Sequence, residues 1–179
     1  MSENNSFELL LEQYRSVYPG LRIMHKKDSY LMKTIDVVLK FLSMGAFQTF
    51  MTHYVTTIGL TIYANDRWDE ITDSTKMIIL SHEMVHVAQS KRYGRLFYMF
   101  LYLFVPIPIG YAYYRSKFEM EAYEVTITMA SKVYGADYVK SEEYRKGIMN
   151  VFTGPEYLWM MLDRKKISDW FDRVLRGIP

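Results

Sequence analysis

The sequence predicts an α+β fold that is mostly helical and carries a small β-sheet. Several long stretches lack Pro and Gly and place apolar residues at helical spacing, which favours helices over most of the chain. One stretch, residues 52–63, is rich in β-branched and aromatic residues and favours a strand or a pair of strands. With 179 residues, half of them hydrophobic, the chain suits a single domain, residues 1–179, with a sizeable core.

The elements of the N-terminal half follow from turn signals and periodicity. Ser6 can cap the first helix, and Pro19-Gly20 ends it. Alternating apolar and basic residues then predict an edge or half-buried strand. In order, the predicted elements are a helix over 6–17, a strand over 21–26, a helix over 30–43 and the strand region over 52–63. The short basic clusters Lys26-Lys27 and Arg164-Lys165-Lys166 are interpreted as solvated faces.

The next predicted helix, residues 75–93, carries the motif His82-Glu83-Met84-Val85-His86. Asp73 or Ser74 can cap the helix, and Gly94 ends it. Most of its other side chains are apolar, so we expect it to be buried. Two histidines four residues apart lie on one face of a helix and can bind one metal ion. Glu83, slightly to the side, is placed as the general base of a zinc hydrolase.

A third metal ligand must come from another part of the chain. No histidine follows His86, and His25 and His53 lie upstream, where His53 is interpreted as a polar residue of the strand region. The absence of Cys excludes thiolate ligands and disulfides, so a carboxylate remains. The helix predicted over 112–134, which ends at Gly135, offers three glutamates.

Helical spacing separates these three glutamates. Glu119 shares its face with Arg115, Ser116, Ala122, Tyr123, Thr126 and Ala130, several of them small enough to let another helix approach. Glu121 lies on nearly the opposite side with Lys117, Thr128 and Lys132, which is typical of a solvated face. Glu124 is intermediate. Glu119 is therefore the predicted third ligand, with Glu121 as the alternative.

The segments HEMVH and FEMEAY together resemble the gluzincin group of zinc metallopeptidases, in particular the compact minigluzincins. In that group a Glu on a later helix, in an ExxA or ExxAD context, completes the site. Glu119, Ala122 and the preceding Phe118 match the pattern, whereas Tyr123 stands where an Asp is expected. The resemblance covers about residues 82–123.

This resemblance implies a compact zincin-like domain in which His82, His86 and Glu119 hold Zn²⁺. It also implies a peptidase that acts on a peptide or protein through a zinc-activated water, with Glu83 as the base. The strand before the HExxH helix would pair with an extended substrate, although a purely structural strand is an equal alternative. The donor for the oxyanion would be Tyr123, Tyr157 or Arg115.

Residues 96–114 form an uncharged run of nineteen residues between Arg95 and Arg115. The run has the length of a membrane span, but Pro106, Pro108 and Gly110 would break a helix. A single crossing would also separate His82 and His86 from Glu119. We therefore predict a helix over 96–104 and a loop that returns, forming a buried excursion. A hairpin that contacts a membrane is the alternative.

Helices are predicted over 141–152 and 167–176, with a turn at Gly154-Pro155 between them. The group Tyr157, Trp159 and Met161 is interpreted as core packing. The net charge of +2 gives no argument for nucleic-acid binding. The N-terminal residues lack the pattern of a secretory signal, which favours a cytoplasmic location.

Two other functions remain compatible with the sequence. One is a catalytically inactive, zinc-bound binding or assembly module, against which the intact Glu83 argues. The other is a membrane-associated protein in which the zinc site is secondary to the segment 96–114.

Overall fold

The computed structural model describes residues 6–45, 48–104, 113–154 and 163–179. The predicted α+β class is confirmed, because the described chain is mostly helical and contains one small sheet. The helices are α1 (Ser6–Val17), α2 (Tyr30–Leu42), α3 (Phe50–His53), α4 (Asp73–Tyr93), α5 (Arg95–Phe104), α6 (Tyr113–Tyr134), α7 (Ala136–Lys140), α8 (Glu142–Thr153) and α9 (Arg164–Arg176). The strands are β1 (Arg22–His25), β2 (Thr56–Ile58) and β3 (Thr61–Ala64).

The sheet has the order β1-β3-β2, so the central strand is the last of the three in the chain. β1 runs parallel to β3, with Arg22 opposite Thr61. β2 runs antiparallel to β3, with Thr57 opposite Ile62. Among the described strands, β1 and β2 therefore form the two edges of the sheet.

The predicted strand region is a pair of strands, but its first residues are helical. Thr52 and His53 belong to α3, where the amide of His53 donates to the carbonyl of Thr49. The reason is tertiary: the side chain of Phe50 is buried in a cluster with Met32 and Tyr63. Packing of this kind overrides a local preference for extended backbone.

The described residues group into two compact units, one up to Val87 and the other from Ala88, and the boundary falls within α4. The single-domain assignment of residues 1–179 stays a prediction. In the first unit the main core joins α1, the sheet and α4; its buried members are Phe7, Leu11, Leu21, Ile62, Ala64, Trp68, Leu80, Met84 and Val87. The HExxH helix therefore packs on the sheet.

In the second unit, α5 packs on α6 through Tyr98, Leu101 and Phe118. Helices α8 and α9 are joined by Arg145, which donates two hydrogen bonds to the carboxylate of Asp172. Helix α7 was not predicted; it begins directly after Gly135, whose φ of 93° ends α6 as expected.

The uncharged segment 96–114 differs from the prediction in its exposure. Helix α5 lies where a helix was expected, but Leu96, Phe97 and Phe100 are exposed, so a fully buried excursion is wrong for these residues. Tyr98 and Leu101, on another side of the same helix, are buried against Phe118 of α6. Residues 105–112 lie outside the described part of the chain, as do Tyr157, Trp159 and Met161. Among the described residues, no helix has both the length and the apolar character needed to cross a bilayer.

Candidate metal centre

The helix that carries the motif begins with a polar cap and then enters the protein interior. The capping side chain is that of Thr72, whose hydroxyl accepts from the amide of Thr75 at 3.2 Å. The predicted caps, Asp73 and Ser74, are instead the first helical residues. Every residue from 73 to 90 is buried or half-buried, which confirms the predicted burial of this helix.

The two histidines converge through the same ring atom. Nε2 of His82 and Nε2 of His86 lie 3.2 Å apart, and the rings meet at an interplanar angle of 78°. Two nitrogens bound to one tetrahedral zinc ion at 2.0–2.1 Å would be separated by about 3.3 Å. The spacing of the histidine pair therefore fits one metal ion.

Glu119 completes a group of three ligands. One ligand atom from each of His82, His86 and Glu119 lies within 4.8 Å of the others. Glu119 is 1% exposed, and Ala122 and Ala130 on its face are buried as the helical argument required. A buried carboxylate and two imidazoles form a donor set that suits a transition metal, so these three residues can hold a metal ion.

The competing glutamates of α6 have other surroundings. Glu121 accepts a hydrogen bond from Nε2 of Gln89 at 2.9 Å and lies 3.7 Å from Arg92. Its side chain is 38% exposed, so the prediction that Glu121 faces solvent is confirmed only in part. Glu124 is exposed. Neither belongs to the group of ligands found among the described residues.

Glu83 is buried beside the sheet. Its Oε2 accepts a hydrogen bond of 2.7 Å from the hydroxyl of Thr57, in the middle of edge strand β2. Sequence analysis did not identify Thr57, because a single Thr in a strand carries no signal of a partner 26 residues away. This bond fixes one oxygen of the carboxylate relative to the edge of the sheet.

Lys26 is a second residue that sequence analysis missed. The prediction that Lys26 and Lys27 are both solvated is wrong for Lys26, which is fully buried, whereas Lys27 is exposed. The Lys26 ammonium donates to the carbonyl of Phe50 at 2.7 Å and lies 3.5 Å from the centre of the Phe50 ring. Burial lowers the pKa of Lys26 to about 7, against the opposing influence of the carboxylates of Glu83, Asp36 and Asp66.

The other two histidines are outside the ligand group found among the described residues, and the candidate oxyanion donors are described only in part. Nε2 of His25 lies 3.7 Å from the carboxylate of Asp69, and Nδ1 of His53 shares a hydrogen bond with Thr52. The ring of Tyr123 packs edge-on against Phe152. Arg115 is half-buried on α6, and Tyr157 lies outside the described residues. The identity of an oxyanion donor therefore stays a prediction.

Comparisons of the chain with protein-family models, with curated proteins and with solved structures found no match.

Proposed function

We propose that this chain is a gluzincin-like, zinc-dependent hydrolase that cleaves peptide bonds. The observation that carries the proposal is the convergence of His82 and His86 on one buried helix, with the carboxylate of Glu119 within 4.8 Å. Glu83, between the two histidines in sequence, is not part of the ligand group and is available for chemistry.

The donor set favours zinc over other metals. Two imidazoles and one carboxylate are the ligands of catalytic zinc sites, which keep a fourth position for water or substrate. Calcium and magnesium prefer sites built from oxygen alone. When bound, zinc lowers the pKa of a coordinated water towards 7 and polarises the carbonyl group of a substrate.

Glu83 supplies the proton transfers. Its carboxylate accepts the proton of the attacking water and later delivers that proton to the leaving amine. The hydrogen bond from Thr57 holds one carboxylate oxygen in place, so the other oxygen can be directed at the water. A purely structural zinc site needs no such base, which argues against an inactive binding module.

The position of β2 favours a peptide as the substrate. Within the described sheet, β2 is an edge strand, and its residue Thr57 contacts the base directly. An extended peptide that pairs with this edge would place its backbone carbonyls beside Glu83. Recognition through backbone hydrogen bonds depends little on the sequence of the substrate.

The test is the variant Glu83→Gln, which preserves size and removes the base. We expect zinc content and the circular dichroism spectrum to be unchanged, while cleavage of a mixed peptide library, read by mass spectrometry, falls by about two to four orders of magnitude. Glu124→Gln is the matched control, because Glu124 is an exposed glutamate outside the ligand group. Equal activity of Glu83→Gln and the parent would refute the mechanism.

A further inference from the structure

The outer face of α5 is apolar and exposed, although the helix is well packed on its other side. Leu96 is 82% exposed, Phe97 55% and Phe100 54%. On the opposite side, Tyr98 and Leu101 are buried against Phe118 of α6. The three exposed side chains fall within an arc of about 100° on the helix, so they form one face. We call Leu96, Phe97 and Phe100 the α5 face.

Basic residues precede and follow this face in the sequence. The 35 residues from Met84 to Phe118 contain no Asp or Glu but five Lys or Arg: Lys91, Arg92, Arg95, Arg115 and Lys117. Lys91, Arg92, Arg95 and Lys117 are exposed. Arg92 lies 3.7 Å from Glu121, which offsets part of its charge. Arg95 is the first residue of α5 and directly precedes Leu96 and Phe97, so an exposed positive charge adjoins the α5 face.

We propose that the α5 face docks on the surface of an anionic phospholipid bilayer. Exposed Phe and Leu side chains enter the boundary between headgroups and acyl chains, and neighbouring Lys and Arg bind the anionic headgroups. Exposed Phe and Leu side chains next to Lys and Arg are the combination that interfacial helices present to anionic membranes. This inference concerns attachment and does not depend on hydrolytic activity.

The attachment is peripheral in this proposal. A ten-residue helix is about 15 Å long, half of the thickness of the hydrocarbon core, so α5 lies along the surface. Each basic residue near an anionic surface strengthens binding about fivefold. Attachment is therefore expected to need both the apolar side chains and a negatively charged membrane.

The experiment is sedimentation of the purified, zinc-loaded full chain with vesicles. Vesicles of equal parts phosphatidylcholine and phosphatidylglycerol should bind the chain, and vesicles of phosphatidylcholine alone should bind it at least tenfold more weakly. The double variant Phe97→Ser/Phe100→Ser should lose at least tenfold in binding to the anionic vesicles. Arg95→Gln, which keeps the apolar face, should lose about fivefold.

Phe41→Ser is the matched control, since Phe41 is 82% exposed on α2, in the other unit. Zinc content and circular dichroism verify that each variant is folded. Failure of the parent chain to bind anionic vesicles at low salt would overturn the proposal. So would a loss of binding in Phe41→Ser that equals the loss in the double variant. If the chain instead forms a dimer in the absence of lipid, and Phe97→Ser/Phe100→Ser dissociates that dimer, the face would be assigned to contact with a second copy of this chain.

Discussion

Replacement of the buried Lys26 by Met should remove a specific pH dependence from the stability of this protein. Lys26 is fully buried beside Phe50, and burial lowers its pKa from 10.5 to about 7. Between these two values the unfolded chain carries a proton on Lys26 that the folded chain does not. Stability rises with pH wherever the unfolded state binds more protons. The parent should therefore become more stable as the pH is raised through this window.

The size of the effect follows from the two pKa values. For a pKa that falls from 10.5 to about 7, linkage gives a gain of about 2 kcal/mol in the free energy of unfolding between about pH 7.5 and about pH 9. Lys26→Met has no proton to lose, so the parent should gain about 2 kcal/mol relative to this variant over the same range. The substitution also removes the hydrogen bond to the carbonyl of Phe50, which lowers the stability of the variant across the whole range.

The assay is urea unfolding followed by circular dichroism at several pH values in this range. EDTA in every sample removes the contribution of pH-dependent metal binding. Lys27→Met is the control, because Lys27 is the adjacent residue and is exposed; its difference from the parent should not change with pH. A constant difference between the parent and Lys26→Met would refute the reasoning, since it would mean that Lys26 stays protonated in the folded state.

Two further predictions concern the metal centre. Thr57→Val removes a 2.7 Å hydrogen bond to the carboxylate of Glu83; such bonds to charged groups contribute about 1.5–3 kcal/mol, so kcat/KM for a cleaved peptide should fall about 10- to 100-fold while zinc content stays constant. An unchanged kcat/KM would show that this bond does not position the base. Glu119→Gln should lose most of the bound zinc, whereas Glu121→Gln should keep it, as measured by metal analysis, because the carboxylate of Glu121 is paired with Gln89 and Arg92 outside the ligand group. The reverse pattern would move the third ligand to Glu121.

The parts of the fold that sequence analysis predicted are those specified by local signals. Helices α1, α2, α4, α5, α6 and α8 match their predictions to within two residues, and Ser6 is the first helical residue of α1 instead of its cap. The histidine pair is likewise local, because a spacing of four residues in a helix fixes both side chains on one face. Glu119 was identified because the small residues Ala122 and Ala130 mark the buried face of α6.

The features that sequence analysis missed depend on contacts between distant parts of the chain. The bond from Thr57 to Glu83 spans 26 residues, and the bond from Lys26 to Phe50 spans 24. No periodic pattern indicates which Thr or Lys will meet a given partner across a sheet. The exposure of Phe97 was missed for a related reason: an uncharged run shows how apolar a helix is, but packing decides which of its faces is covered.

The central claim is that His82, His86 and Glu119 hold one zinc ion, and metal analysis of the purified chain tests it most directly. Protein purified without chelators, and analysed by mass spectrometry of its metals, should contain close to one zinc per chain. The same measurement on His86→Ala should show most of that zinc lost, because one of the two converging imidazoles is gone. A parent chain without zinc, or a His86→Ala variant that keeps its full content, would contradict the assignment of this site.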